Sequence, residues 1–349
     1  MCDSSQTSTA EAALSAPRLA PGSAVDPIAL EPVDEVSITV LMDNTFDGLL
    51  PSDAHTTRAG FGPPVPADHF TGGHTVVGLV AEHGFSALVT VRRGQRRTTL
   101  LFDAGLSPTG ILGNADQLGV RFDDVQGVIL SHGHFDHAGG LGGLARRFGR
   151  QMPMTVHPFA WTPRRLNLPQ HPFEMPTLSK QALIGEGFDV IERAQPSLLV
   201  DGSVLITGEV DRTTDFERGM PAAHEANLGG RWQHDPTVID DQALVVHLRG
   251  RGLVVLTGCG HAGVINIVRH AQRLTGVPAL HALLGGFHLS GPAFDPVIPP
   301  TVAALTSMNP HRIVPGHCTG WRAQHALAAA LPDAWVASSS GTTHHLVAA

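Results

Sequence analysis

Ser131-His132-Gly133-His134-Phe135-Asp136-His137 follows directly on the apolar run Val128-Ile129-Leu130. Three imidazoles and a carboxylate therefore fall within six residues, between a run that reads as a buried strand and a turn rich in glycine at Gly139, Gly140, Gly142 and Gly143. In an extended chain, residues two apart face the same side, so His132 and His134 can hold one cation together. Gly133 keeps the backbone between them clear. Where the chain turns at Asp136 and His137, their side chains can point to a second cation nearby, and the glycines that follow let the turn pack closely. A carboxylate beside imidazoles mixes oxygen and nitrogen donors, which suits Zn2+ or Fe2+. A lone buried histidine is ordinarily a packed core residue; this density after a strand reverses that expectation.

The same arrangement recurs outward along the chain. Thr99-Leu100-Leu101-Phe102 precedes Asp103, Val204-Leu205-Ile206 precedes Glu209, and Val254-Val255-Leu256 precedes Cys259 and His261. Leu283-Leu284 precedes His288, and Ile313-Val314 precedes His317. Continuous apolar runs of this kind are strands buried on both faces, which need a layer packed on either side. Residues 36–103 read as consecutive strands with few helices. Ala262–Leu274 carries apolar residues at helical spacing, ended by Gly276 and Pro278, and Pro299–Met308 and Trp321–Leu331 read similarly. Strands first, then mixed strand and helix, predict an αββα sandwich within one domain over 36–349.

Residues 1–35, rich in Ala, Ser and Pro without sustained apolar periodicity, read as a flexible tail. The stretch at about 151–235 reads as an irregular insertion, punctuated by six prolines between Pro153 and Pro176 and closed by a Gly/His-rich segment. Long connections are often lids or substrate loops, and a mobile surface insertion is the plain alternative.

Composition narrows the function. The 349 residues are 42% hydrophobic, which excludes wholesale disorder. A net charge of -8 without a basic run argues against stable nucleic-acid binding, though not against transient action on nucleic acid. Cys2, Cys259 and Cys318 are too few and too scattered for a disulfide framework, so a reducing, cytoplasmic setting is expected. No secretory leader or apolar run of membrane-spanning length is read, so no membrane partner is expected. Against 21 histidines stands no tyrosine, and histidine is the commonest metal ligand.

The His-x-His-x-Asp-His run resembles the fingerprint of the metallo-β-lactamase superfamily, and the resemblance spans roughly residues 36–345. It implies an αββα sandwich with a one- or two-metal site at one edge of the paired sheets. It further implies ligands at His132, His134, Asp136 and His137, a supporting carboxylate at Asp103, and a late ligand for the second metal at His317. "AEHGFSALV" (81–89), "LTGCGHAGVINIV" (256–268), "LLGGFHLSG" (283–291) and "PGHCTG" (315–320) are similar to a subgroup known as dihydropterin ribofuranosylaminobenzene phosphate synthase-like. Two positions depart from the superfamily pattern. Thr207-Gly208 leads to Glu209 where a histidine is common, and Thr257-Gly258 leads to Cys259 where an aspartate is usual. His261 is the choice for the missing imidazole, because it ends the same strand and can face the same side as Cys259. Cys259 is either a thiolate ligand favouring zinc or a small buried residue.

Other residues carry open readings. His288 is a ligand, a proton donor to a leaving group, or structural. Glu82 and His83 are more readily supporting than ligating. Arg164, Arg165 and Arg212, in the stretch that could cover the site, are candidates to hold an anionic substrate. Asp240-Asp241-Gln242 matches the subgroup's "DDQAL" pattern without a role apparent. The leading expectation is a hydrolase in which two divalent ions, Zn2+ with Fe2+ or Mn2+ as alternatives, activate hydroxide against a small anionic substrate, with Asp136 orienting the nucleophile and His288 protonating the leaving group. The alternatives are a pterin-related synthase, an iron-dependent oxygenase, and a non-catalytic metal sensor.

Overall fold

The computed structural model describes residues 26–349. An eight-stranded sheet runs, in spatial order, Phe188–Glu192, Met152–Val156, Val125–Ile129, Arg96–Phe102, Ser86–Arg93, Glu35–Met42, Thr342–Val347 and Thr56–Arg58. Its first four strands are parallel and the rest antiparallel. A six-stranded sheet runs Ser197–Leu199, Val204–Ile206, Leu244–Leu248, Gly252–Thr257, Leu280–Gly286 and Arg312–Gly316, the last three parallel.

The layering follows from the period-two alternation of strand side chains. In Gly252–Thr257, Val254 and Leu256 join Ile38, Val89 and Phe102 in a core between the two sheets. Their neighbours Leu253 and Val255 point outward, onto helices Val264–Thr275, Ile298–Met308 and Trp321–Ala330. Across the other sheet, Leu41, Leu88 and Leu101 pack outward with helices Gly110–Gln117 and Leu141–Phe148. Three apolar cores between four layers make the expected αββα sandwich. Among the described residues no helix is long and apolar enough to cross a membrane.

Two boundaries differ from the sequence reading. Residues 1–25 of the expected tail lie outside the described residues. The remainder is docked: Leu30 and Val33 are buried, and Val33 bridges Leu248. Ile28, Leu30 and Val33 are too few to show a period, yet in extended chain they suffice to enter the cores. The 151–235 stretch is also more ordered than an irregular insertion. Met152–Val156, Phe188–Glu192, Ser197–Leu199 and Val204–Ile206 belong to the two main sheets. The stretch also builds a four-stranded antiparallel sheet from Phe173–Glu174, Arg164–Leu166, His224–Leu228 and Arg231–His234. Strands of two to five residues between prolines are too short for a periodic pattern to emerge.

Candidate metal centre

In parallel strands all carboxyl ends lie on one edge, and that edge gathers the site. Asp103 follows Arg96–Phe102, and the segment from His132 to His137 follows Val125–Ile129. Cys259 and His261 follow Gly252–Thr257, His288 follows Leu280–Gly286, and His317 follows Arg312–Gly316. Residues more than 100 positions apart in sequence meet in two adjoining clusters. One holds His132, His134 and His261, the other Asp136, His137, Cys259 and His317, and in each the candidate ligand atoms lie within 4.8 Å of one another. A third grouping, Cys259 with His261 and His288, shares two of these members.

Local structure explains why one short segment serves both clusters. Phe135–His137 forms a single 3-10 turn, which swings Asp136 and His137 away from the line of His132 and His134. Gly133 lies against the backbone carbonyl of Ala160, so closely that a Cβ would collide with it. Its amide donates to Asp240 Oδ2 at 2.8 Å, which ties the ligand segment to the opposite sheet.

Hydrogen bonds orient the imidazoles from behind, as such partners do in metal sites. Asp103 accepts from Ser131 N and Ser131 Oγ, both at 2.7 Å, and from His137 Nδ1 at 2.6 Å. Because the Ser131 hydroxyl donates to a carboxylate, it accepts from His132 Nδ1 at 2.9 Å, leaving the His132 Nε2 lone pair toward the cluster. Asn44 donates from Nδ2 to the His317 carbonyl at 3.1 Å and accepts at Oδ1 from His317 Nδ1, also at 3.1 Å. His261 Nδ1 lies 3.3 Å from Met220 Sδ. The Nε2 atoms of His261 and His317 are then buried without a hydrogen-bond partner, although His317 Nε2 is 3.4 Å from Asp136 Oδ2. Unpartnered imidazole nitrogens turned into a cluster of further donors are what a resident cation would satisfy, so the residues fit a divalent metal.

Electrostatics agree with that fit. Burial, reinforced by neighbouring imidazoles and by Arg164, holds His132 and His134 well below the usual histidine range, so both are neutral. His261 is lowered in the same way, by burial and then by His288. Burial opposes protonation of His137, but the carboxylates of Asp103 and Asp136 outweigh it and raise the ring to about 9. Asp103 holds Nδ1–H in either state, so Nε2 is where a proton and a metal ion compete. Burial pushes Asp136 up, yet His137 and His317 overcome this and keep it ionised. Burial raises the Cys259 thiol, whose Sγ lies 3.2 Å from His137 Nε2.

Several sequence candidates are placed elsewhere. Glu209 lies outside both clusters, with Oε1 3.7 Å from His157 Nε2. Glu82 accepts from the amides of Leu106 and Ser107 at 2.8 and 3.0 Å, a loop-shaping role. His83 sits at the rim, Nε2 3.6 Å from Asp136 Oδ2 and its side chain 63% exposed. The three arginines expected to hold substrate are engaged within the protein. Arg164 is buried between Asp235 and Asp240, and Arg165 pairs with Glu225 and lies over the Trp232 ring. Arg212 donates to the carbonyls of His261, Ala262 and Thr237. Their cationic heads found acidic or carbonyl partners that are distant in sequence, which no local pattern could show.

Other residues of the site escaped the sequence reading. Asp43 accepts from His317 N at 2.7 Å, and both it and Asn44 end the strand Glu35–Met42, the strand-end position that marked the other candidates. His224 Nε2 lies 3.3 Å from His134 Nε2, and only the Gly/His-rich character of its segment hinted at it. A cavity of about 480 Å3 reaches His261 and His288 and is also lined by Arg218, Phe287, Phe294 and Val297. Arg218 supplies at its wall the exposed cation that Arg164, Arg165 and Arg212 do not.

A family model described as the Metallo-beta-lactamase superfamily matches residues 79–272, and the chain belongs to that superfamily. Among proteins it resembles is the 7,8-dihydropterin-6-methyl-4-(beta-D-ribofuranosyl)-aminobenzene-5'-phosphate synthase of Methanocaldococcus jannaschii. The two are 26% identical over 253 residues, 70% of this chain and 83% of the relative. MJ0448 of the same organism is 28% identical over 251 residues, covering 70% and 86% of the two chains. The solved structure of Tm1679, described as a metal-dependent hydrolase of the beta-lactamase superfamily, aligns with a TM-score of 0.67 at 23% identity. The alignment covers 89% of this chain and 99% of that one, and it supports the shared fold.

Proposed function

We propose that the protein is a metal-dependent hydrolase of a small anionic substrate, holding two divalent ions in the two adjoining clusters. The observation that carries this reading is the pair of clusters itself, with the unpartnered Nε2 atoms of His261 and His317 turned into them. His132, His134 and His261 would hold one ion, and Asp136, His137 and His317, with Cys259 in the same cluster, would hold the other. Three imidazoles beside a set of carboxylate, imidazole and thiol favour zinc, with Fe2+ or Mn2+ as alternatives. When bound, such ions supply Lewis acidity and make water nucleophilic near neutral pH.

The chain's own groups would do the rest. Asp136, buried and ionised, orients the incoming water as an acceptor. The cavity admits the substrate, and Arg218 at its wall attracts a negative group. His288, which packs between His261 and Phe294 with Nδ1 buried and unpartnered, would hand a proton to a leaving group.

A second reading is favoured by the M. jannaschii relative, whose name describes a synthase of a dihydropterin-methyl ribofuranosyl-aminobenzene phosphate: formation of a bond between a pterin and an arylamine ribosyl phosphate. Metal content of anaerobically purified protein, followed by reaction in 18O-water, separates the two. Hydrolysis of an anionic ester such as bis(p-nitrophenyl) phosphate would place 18O in a product. Condensation of the pterin and arylamine partners without such incorporation, and inertness toward esters, would replace the hydrolase reading. Iron with little zinc would favour oxygenase chemistry instead.

A further inference from the structure

We infer that His224, carried by the small sheet of the 151–235 stretch, is a positioning residue of the metal centre that sets the tautomer of His134. This rests on the metal-dependent reading above. The proton positions follow from the far end of a hydrogen-bonded chain. His224 Nδ1 lies 3.1 Å from the carbonyl oxygen of Asp235, which can only accept, so Nδ1 carries the proton. His224 Nε2 is therefore a lone pair. It lies 3.3 Å from His134 Nε2, which donates to it when the lone pair of His134 is on Nδ1. That Nδ1 faces His132 Nε2 at 3.0 Å, and His132 Nε2 is also a lone pair because Ser131 takes its Nδ1–H. A cation held by both lone pairs removes their repulsion, so with metal bound His134 donates to His224 rather than to His132.

The support behind His224 is itself built in. Its side chain is fully buried, and its backbone pairs with Leu166 at the edge of the strand Arg164–Leu166. Asp235, whose carbonyl sets the proton on His224, is held by its carboxylate to Arg164 Nε at 3.1 Å and to Val238 N at 3.0 Å. The same Arg164 guanidinium binds Asp240, which receives the Gly133 amide between His132 and His134. One buried arginine thus joins the partner behind the His134 ring to the partner under its backbone. The small sheet is part of the ligand scaffold, and Arg164 acts through structure rather than on substrate.

The test compares H224L, which removes the acceptor, with H224Q, whose carbonyl oxygen can replace it. Cobalt affinity is read by visible absorbance under chelator competition. In parallel, 15N resonances report the His134 ring in zinc-loaded protein. H224L should bind 10–100-fold more weakly, H224Q should stay near the wild type, and His134 of the zinc-loaded wild type should carry its proton on Nε2. A wild-type ring protonated on Nδ1 overturns the inference without need of any variant that folds poorly. Equal cobalt affinity in wild type and H224L overturns it while leaving the metal-dependent reading intact. A wild type that takes up no metal at all defeats both.

Discussion

Asp103 Oδ2 lies 2.6 Å from His137 Nδ1, in a pair from which solvent is wholly excluded. The contact aims one imidazole and compensates its charge, since His137 is raised to about 9 beside this carboxylate and that of Asp136. The same carboxylate fixes Ser131 and through it His132, so one residue supports both clusters.

Replacing it should therefore disturb metal binding without touching a ligand. In D103N the amide cannot accept from Ser131 and His137 as the carboxylate does, and it leaves His137 without its counter-charge. The expected outcome is a 10–100-fold loss of metal affinity, with bound metal per chain falling first at the Asp136, His137 and His317 cluster. Elemental analysis after dialysis against graded chelator measures it. Unchanged stoichiometry would remove Asp103 from the site's support.

Gly133 predicts a contrast. A methyl group there meets the backbone carbonyl of Ala160, which cannot move aside as a flexible side chain can, whereas one at Gly113 on helix Gly110–Gln117 meets nothing within 4 Å. G133A should lose several kcal/mol of stability, by the overpacking cost of about 1–3 kcal/mol plus disturbance of the buried cluster, and its metal. G113A should gain about 0.5–1 kcal/mol from helix propensity. Denaturant midpoints of the two variants check both signs.

The contrast also shows what sequence can carry. His132, Gly133, His134, Asp136 and His137 were legible because they lie within one turn of chain, and local spacing alone places them. Asp103, His261 and His317 were legible because each ends an apolar run, and the sandwich brings such ends to one edge. The surroundings of Arg164 were not legible, because its partners Asp235 and Asp240 lie 71 and 76 positions away and a free arginine and a buried paired one look alike in sequence. Glu209 ends an apolar run too, yet its side chain meets His157 instead of the clusters. Strand-end position is thus a cue and not a sufficient one. The short strands of 151–235 stayed hidden because their partners, not their periodicity, make them strands.

His344 gives a prediction in pH. Its ring is fully buried with both nitrogens unpartnered, and burial, followed by Arg312 and Arg58, lowers it from 6.5 to about 3. The unfolded chain therefore takes up the proton first as pH falls. The stability associated with a neutral His344 is complete above pH 6.5 and is lost progressively toward pH 3. At pH 5 the loss is about 2 kcal/mol. H344F should flatten the stability profile between pH 7.5 and pH 5 relative to the wild type, whatever its effect at pH 7.5. Parallel profiles from urea unfolding would show that His344 is not the titrating group.

Arg164 and Arg218 separate structure from substrate recognition. Arg164 lies buried between two carboxylates, so R164L strands Asp235 and Asp240 without compensation and should cost about 3–5 kcal/mol. The burden falls most on Asp240, because Arg164 is the main charge opposing its burial and holds its carboxyl at about 2. Arg218 stands exposed on the cavity wall, its Nε donating only to the Asp215 carbonyl, so R218A should change stability by no more than about 0.5 kcal/mol. Its cost should appear in function instead, as a several-fold higher KM for an anionic ester with kcat little altered, and as a weaker effect of salt on kcat/KM than in the wild type. Thermal melting of both variants, together with the salt series on R218A, reads these outcomes. A stable R164L with a raised KM would return Arg164 to the substrate pocket. An R218A enzyme indistinguishable from the wild type in KM and salt dependence would leave the cavity wall without its anion-binding role.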